Sequence, residues 1–419
     1  MRYALIALLV GCLLTTYADT TLASQDVHFL HWWTSQGEVK SAEVVNDALS
    51  EADLNVINVP VQGGGGKTAK SILQARAIAG NPPDMAQLEG PAIKSWAALG
   101  FLHNLDDAAK QQNWDEKLFS LARGIHQHNG NYVAVPVTLH RLNWMWVNMD
   151  ILNRHKLKMP ESWEQLIDVF SQLKQKGVSP LAIGNEPWQI VQLFENIAFG
   201  IGGPHYYRKA FIELDPDILA SSTTHEALRK FRQISTIVLP DLSKQRWEEA
   251  TKDLLEGRRA FQITGDWVAG ELMAMNGEFP DNILCSPTPF QQSGFIYNMD
   301  SFALFKKPLL TNEQANRIAK IVSEPDFLYE FNRRKGSIPA YENVSLKGFN
   351  PCALKAKLDF KQAEELGTLV PSIIDSMAVS PVIEKAASSE LYRFFNDPTM
   401  QPDDVIVHMQ NMGSSNLNL

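Results

Sequence analysis

Three short stretches set tryptophans beside hydrogen-bonding side chains: His31-Trp32-Trp33-Thr34-Ser35-Gln36-Gly37-Glu38, Glu186-Pro187-Trp188-Gln189 and Gly265-Asp266-Trp267. An indole presents a flat apolar face, while carboxylates and amides accept and donate hydrogen bonds. Together they suit a neutral ring whose faces are apolar and whose edge carries hydroxyls. That is the chemistry of carbohydrate binding.

Other residues extend the set. Trp33 and Glu38 follow a first predicted strand at its carboxyl end, where open α/β sheets place ligands. Trp33 would stack and Glu38 would accept hydroxyl protons; the plainer alternative is a core tryptophan beside a surface glutamate. Trp32 is assigned to the core. Asp266 lies where a strand meets a helix, so it would either meet a ligand or cap that helix. Asp300 interrupts the apolar run Phe295 to Phe305 with a carboxylate, which is costly unless it is paired or meets a ligand. Lys335 would donate where Asp300 and Glu38 accept, or else form a salt bridge.

The positioning elements follow from period. Asp26 to Trp33 reads as a buried strand, Val39 to Glu51 as a helix, Leu54 to Pro60 as a strand, Thr68 to Ala79 as a helix and Met85 to Leu88 as a short strand. This alternation predicts an α/β fold with a largely parallel sheet. Residues 126–136 predict a hairpin about Asn129-Gly130, with a crossover strand emerging from it. Trp144 to Asn148 is strand-like, and Ser162 to Lys176, Glu226 to Val238 and Trp247 to Gly257 are amphipathic helices. Phe295 to Phe305 predicts one long strand returning across the molecule. From Thr311 the chain is mostly helical, with a loose tail after Met412.

At 419 residues the chain exceeds the size of a single core, so two domains are expected. The content of 45% hydrophobic and 20% charged residues excludes a disordered chain or a coiled coil. A net charge of -9 argues against nucleic-acid or anionic-membrane partners. The densest basic runs, Arg258-Arg259 and Arg333-Arg334-Lys335, read as solvated helix ends.

The N-terminus carries Arg2, an apolar stretch from Ala4 to Leu14 and the small-residue site Thr21-Leu22-Ala23, so residues 1–23 read as a secretory signal peptide. Leu9-Val10-Gly11-Cys12 also fits a lipobox that would anchor Cys12. The apolar run continues past Cys12, as in an ordinary signal. An exported chain would retain Cys285 and Cys352, which would form a disulfide or stay as two buried thiols.

The segments resemble, in order, the solute-binding proteins of ABC sugar importers, in the glucose/mannose-binding branch of Gram-negative periplasms. They are His31-Trp32-Trp33-Thr34-Ser35 with Glu38, the Gly63 to Gly66 loop, Gly80-Asn81-Pro82-Pro83, Val135-Pro136-Val137 with His140-Arg141, Pro187-Trp188-Gln189, Gly265-Asp266-Trp267, Tyr297-Asn298-Met299-Asp300-Ser301, and Lys335-Gly336-Ser337-Ile338-Pro339. The resemblance implies two α/β lobes joined by crossover hinge strands, with residues 24–138 and 297–340 in one and 139–296 and 341–419 in the other. It implies a sugar in the cleft, closure by hinge motion, delivery to ABC permease subunits from the periplasm, and a monomer with neither cofactor nor metal. Trp267 would be the opposing aromatic wall and Asp300 a hydroxyl acceptor, with His140, Trp188 and Gln189 bordering the cleft. Cys285 and Cys352 would correspond to a cysteine pair of close relatives.

Two positions depart from the pattern. Where relatives have Gln-Ile-Lys-Gly-Pro, this chain has Gln87-Leu88-Glu89-Gly90-Pro91, so Glu89 replaces a ligand-contacting lysine. Asp375 replaces a ligand-contacting histidine. Both lower the positive charge of the pocket, which would hold a neutral sugar and favour an amine-bearing one.

Three rivals are defined by residues or fold. Glu38 and Asp300 would be the two carboxylates of a glycosidase. Tyr206-Tyr207 would serve a ferric-ion carrier, while His126 and His128 lack further ligands nearby. A sugar-loaded protein of the same fold would also serve a chemoreceptor or sensor.

Overall fold

The structure, a computed structural model, describes residues 25–63, 66–374 and 377–416. The expected signal over residues 1–23, with Cys12, and the site residue Asp375 lie outside the described residues.

β1 (Gln25–His31), β2 (Leu54–Pro60) and β3 (Met85–Leu88) run parallel, with β1 central and Gln25 to His31 in register with Leu54 to Pro60. Helices Gln36–Ser50 and Lys67–Ile78 connect them. Val27, Phe29 and Leu30 of β1 are buried. The first helix begins immediately after β1 because Ser35 and Glu38 form a capping box. The Ser35 hydroxyl accepts the Glu38 N–H, and the Glu38 carboxylate accepts the Ser35 N–H. That box leaves Trp32 and Trp33 at the strand end and Glu38 in the first helical turn.

The hairpin forms as expected from β4 (Gln127–His128) and β5 (Asn131–Tyr132), with both Asn129 and Gly130 at positive φ, as a tight two-residue turn requires. β6 (Val135–Pro136) and β7 (Thr138–Arg141) carry the chain across to β8 (Trp144–Asn148). β9 (Ser179–Leu181), β10 (Arg259–Ile263) and β11 (Ile283–Pro287) join β8 in a second sheet, ordered β11-β8-β10-β9. Helices Trp163–Gln175, Ser222–Val238 and Trp247–Leu255 match the amphipathic segments.

The expected strand from Phe295 to Phe305 is two strands, β12 (Phe295–Asn298) and β13 (Ser301–Leu304). β13 joins the first sheet, ordered β2-β1-β3-β13-β6, whereas β12 lies in a third sheet with β14 (Ile338–Pro339), β7 and β15 (Leu369–Pro371). The Asn298 side chain accepts the Met299 N–H at 2.6 Å, and the Asp300 carbonyl accepts the N–H groups of Val137 and Thr138. These bonds break both crossings at the same level. β6 pairs with β13 and β7 with β12, so the crossings run side by side, with Asp300 between the two main sheets.

One core packs Phe170, Phe194, Phe231 and Phe261 about the second sheet. Another runs from Phe29, Trp33 and Phe302 through Trp144, Trp146 and Leu272, spanning the crossings. Cys285 of β11 is bonded to Cys352 at the start of helix Pro351–Glu365, with Cα atoms 6.0 Å apart. Helix Pro402–Asn416 runs past Met412, where a loose tail is expected, and before that point buries Val405, Ile406 and Met409 against the preceding helix. Among the described residues no helix is long and apolar enough to cross a membrane.

Candidate functional site

A cavity of about 210 Å³ opens where the crossings meet the two main sheets. Of the residues expected to bind, Trp32 and Trp33 reach it from just past β1, Glu38 from the first turn of the helix that follows, and Gln87 and Glu89 from the end of β3. His140, Asp300 and Lys335 reach it from the crossings and a helix end, and Trp188 and Trp267 from the first turns of helices Pro187–Tyr207 and Trp267–Asn276, on the side of the second sheet. Gln189 and Asp266 do not line it.

The Glu38 carboxylate is held from two directions. One oxygen accepts the N–H groups of Thr34 and Ser35, and the other meets Lys335 Nζ at 3.0 Å. Lys335 ends helix Pro325–Lys335 because Gly336 takes the left-handed conformation at φ 86°, and a cation suits that helix terminus. Its ammonium stands 5.3 Å from the Trp33 ring centroid. Trp33 is the more buried of its pair, at 1% exposure against 9% for Trp32, the reverse of the expected division; both border the cavity.

Asp300 is bracketed too. Gln87 Nε2 donates to one oxygen at 2.9 Å, and His140 Nε2 lies 3.2 Å from the other. The second ring nitrogen of His140 bonds Asp266, whose other oxygen accepts the Arg141 N–H. Asp266 makes no side-chain cap on helix Trp267–Asn276; it grips His140 instead. Burial opposes charge on His140, but Asp266 and then Asp300 outweigh it and raise the pKa to about 9. Burial likewise opposes charge on Asp300, and the imidazolium hydrogen bond overrides it and holds the carboxyl below its usual range.

The aromatic wall is made by Trp267 with Trp188 and Trp247, at centroid separations of 6.2 and 6.4 Å. Gln189 stands behind it: its amide and the Trp188 indole N–H both donate to Glu186. Glu89 bonds the Asn298 amide at 2.9 Å and Lys70 Nζ at 3.0 Å.

Sequence reasoning missed Arg246, Trp247 and Glu248 on the wall, and Lys70 behind it. Arg246-Trp247-Glu248 repeats the tryptophan-beside-polar composition of the opening motifs, a signal masked by its place at a helix start. Glu248 is buried near Glu38 and Glu271, and burial first, then those charges, lift its pKa to about 7 against the pull of Arg246. The residues of the ferric-ion reading are engaged elsewhere. The Tyr206 and Tyr207 hydroxyls donate to Thr224 and Glu195 inside the second core, and His126 is buried against Ser301.

The pattern of the bacterial extracellular solute-binding protein family matches residues 40–307. The chain belongs to this family. Members of it and the neighbours in structure are binding proteins rather than enzymes. The chain is 34% identical over 405 residues to a probable sugar-binding periplasmic protein of Brucella suis, covering 97% of this chain and 95% of that one. A probable sugar-binding periplasmic protein of Rhizobium meliloti is 32% identical over 379 residues, covering 90% and 91%. The fold is two-lobed, like that of a chitin oligosaccharide binding protein (TM-score 0.75, 17% identity, covering 94% of this chain and 98% of that one). A maltose-bound protein of T. maritima is also similar in fold (TM-score 0.73, 15% identity, covering 93% and 99%).

Proposed function

We propose that this protein is the periplasmic substrate-binding component of an ABC sugar importer. It would hold a mono- or small oligosaccharide between lobes 24–138 with 297–340 and 139–296 with 341–419, and pass it unchanged to the permease. The observation that carries this reading is the cavity itself. Indoles face it from both bodies, and the charged groups between them, Glu38, Lys335 and Asp300, are already oriented by hydrogen bonds.

Such a site offers stacking for a ring face and both acceptors and donors for vicinal hydroxyls. Glu38 is fixed by Lys335 and two backbone donors, which orients its carboxylate toward the cavity as a hydrogen-bond acceptor. Binding needs no cofactor or metal, and a monomer suffices. Export to the periplasm would use the signal expected over residues 1–23 and accords with the relatives' names.

The test is a thermal-shift screen of hexoses, amino sugars and short oligosaccharides, followed by calorimetry. A ligand bound only by the folded state raises the melting temperature. A sugar at a hundredfold excess over its Kd should add about 2.7 kcal/mol of stability. No shift with any sugar overturns the reading.

A further inference from the structure

Glu89 stands on the cavity wall at 2% exposure, where an ionised carboxylate needs a partner. Its partner is Lys70, at 3.0 Å, with the Asn298 amide on the other oxygen. Lys70 is fixed in turn. Its ammonium lies 5.4 Å from the Trp32 ring centroid. Its helix starts at Gly66, whose left-handed backbone presses so closely on Trp32 that a Cβ there would fall 2.8 Å from the ring.

From this arrangement we infer that Lys70, from behind the wall, supplies the cation that an amine on the ligand would otherwise supply to Glu89, so the site selects neutral sugars over amine-bearing ones. This rests on the sugar-binding reading and narrows it. Glu89 keeps acceptor capacity for a hydroxyl, but its charge is already matched. A second ammonium brought to it would meet the first, and like-charge juxtaposition is an effective way to reject a ligand. The extra carboxylate at position 89 is thus compensated by a lysine reaching in from the neighbouring helix.

The test is calorimetric titration of the mature protein with glucose, galactose and mannose and their 2-amino derivatives, at a pH where the amines are protonated. The wild type should bind its preferred hexose at least about tenfold more tightly than the matching amino sugar. Lys70→Met leaves the carboxylate without its cation and should swing that ratio toward the amino sugar by about tenfold or more. Lys70→Arg should keep the wild-type ratio, and Glu89→Gln should move it the other way. Melting curves establish that each variant is folded, and Lys70→Arg with Glu89→Gln decides the matter if Lys70→Met is not. An amino sugar bound as tightly as its hexose by the wild type, or a ratio indifferent to Lys70→Met and Glu89→Gln, overturns the inference and leaves the sugar-binding reading standing. A wild type that binds no sugar overturns both.

Discussion

His140 is a buried imidazolium gripped by two carboxylates, and its surroundings link groups on both sides of the cavity. From Trp32 the hydrogen bonds pass through Gln87 and Asp300 to His140 and Asp266. The charge has a measurable signature. His140 holds its proton up to about 9 in the fold, against 6.5 for an ordinary histidine. Below the lower value both folded and unfolded chains are protonated and the full contribution is present. Between the two values folding takes up a proton, so stability falls as pH rises, and above the upper one the contribution is gone. Urea unfolding across that window should lose roughly 2–3 kcal/mol, and His140→Gln should remove that part of the slope. A second prediction concerns the wall: Trp267→Ala should weaken sugar binding by at least about tenfold in calorimetry, since stacked aromatic area is lost at the ligand. The residues legible in the sequence were those whose type is unusual where they stand, such as Trp267 in Gly265-Asp266-Trp267 or Asp300 in an apolar run. Lys70 and Glu248 were not legible, because on an amphipathic helix each is an ordinary charged residue until its neighbours in space are known.

At the scale of elements, the strands and helices up to Leu88 were legible because period, caps and burial agree there. The Phe295 to Phe305 run was not: its apolar pattern continues through a break made by the Asn298 side chain and by bonds from Val137 and Thr138. Those partners lie more than a hundred residues away in sequence, so no local pattern records them. The link from β11 to helix Pro351–Glu365 is similarly non-local. Cys285 and Cys352 are separated by 67 residues, and a closure of that length restrains the unfolded chain by about 4 kcal/mol in the chain-entropy account. The double variant Cys285→Ala/Cys352→Ala should therefore lower the free energy of unfolding by about 2–5 kcal/mol in denaturant titrations. The same loss should appear when the wild type is unfolded under reducing conditions.

At the scale of the molecule, three glycines let the two bodies touch beside the cavity. Gly37 opens helix Gln36–Ser50, Gly336 ends helix Pro325–Lys335, and Gly270 lies on helix Trp267–Asn276 opposite both. A Cβ at Gly37 would fall 2.8 Å from backbone atoms of Gly270 and Glu271, and one at Gly336 would fall 2.5 Å from the Gly270 nitrogen. The Gly37 N–H donates to the Glu271 carboxylate at 2.7 Å, and Gln36 and Lys40 both donate to the Ala274 carbonyl. Glu38 and Lys335 adjoin two of these glycines in sequence, so the contact lies directly beside the cavity. Opening the proposed lobes must break this contact, and a ligand that favours the closed form shifts the population toward it. Gly37→Ala tests this cleanly, because the position is helical and alanine favours a helix there by about 1 kcal/mol. The variant should therefore fold at least as well without ligand, yet bind sugar at least about tenfold more weakly, since closure is blocked while the cavity residues are intact. Small-angle scattering should show its radius of gyration failing to contract when sugar is added. Wild-type affinity and contraction in Gly37→Ala would mean that closure does not run through this contact.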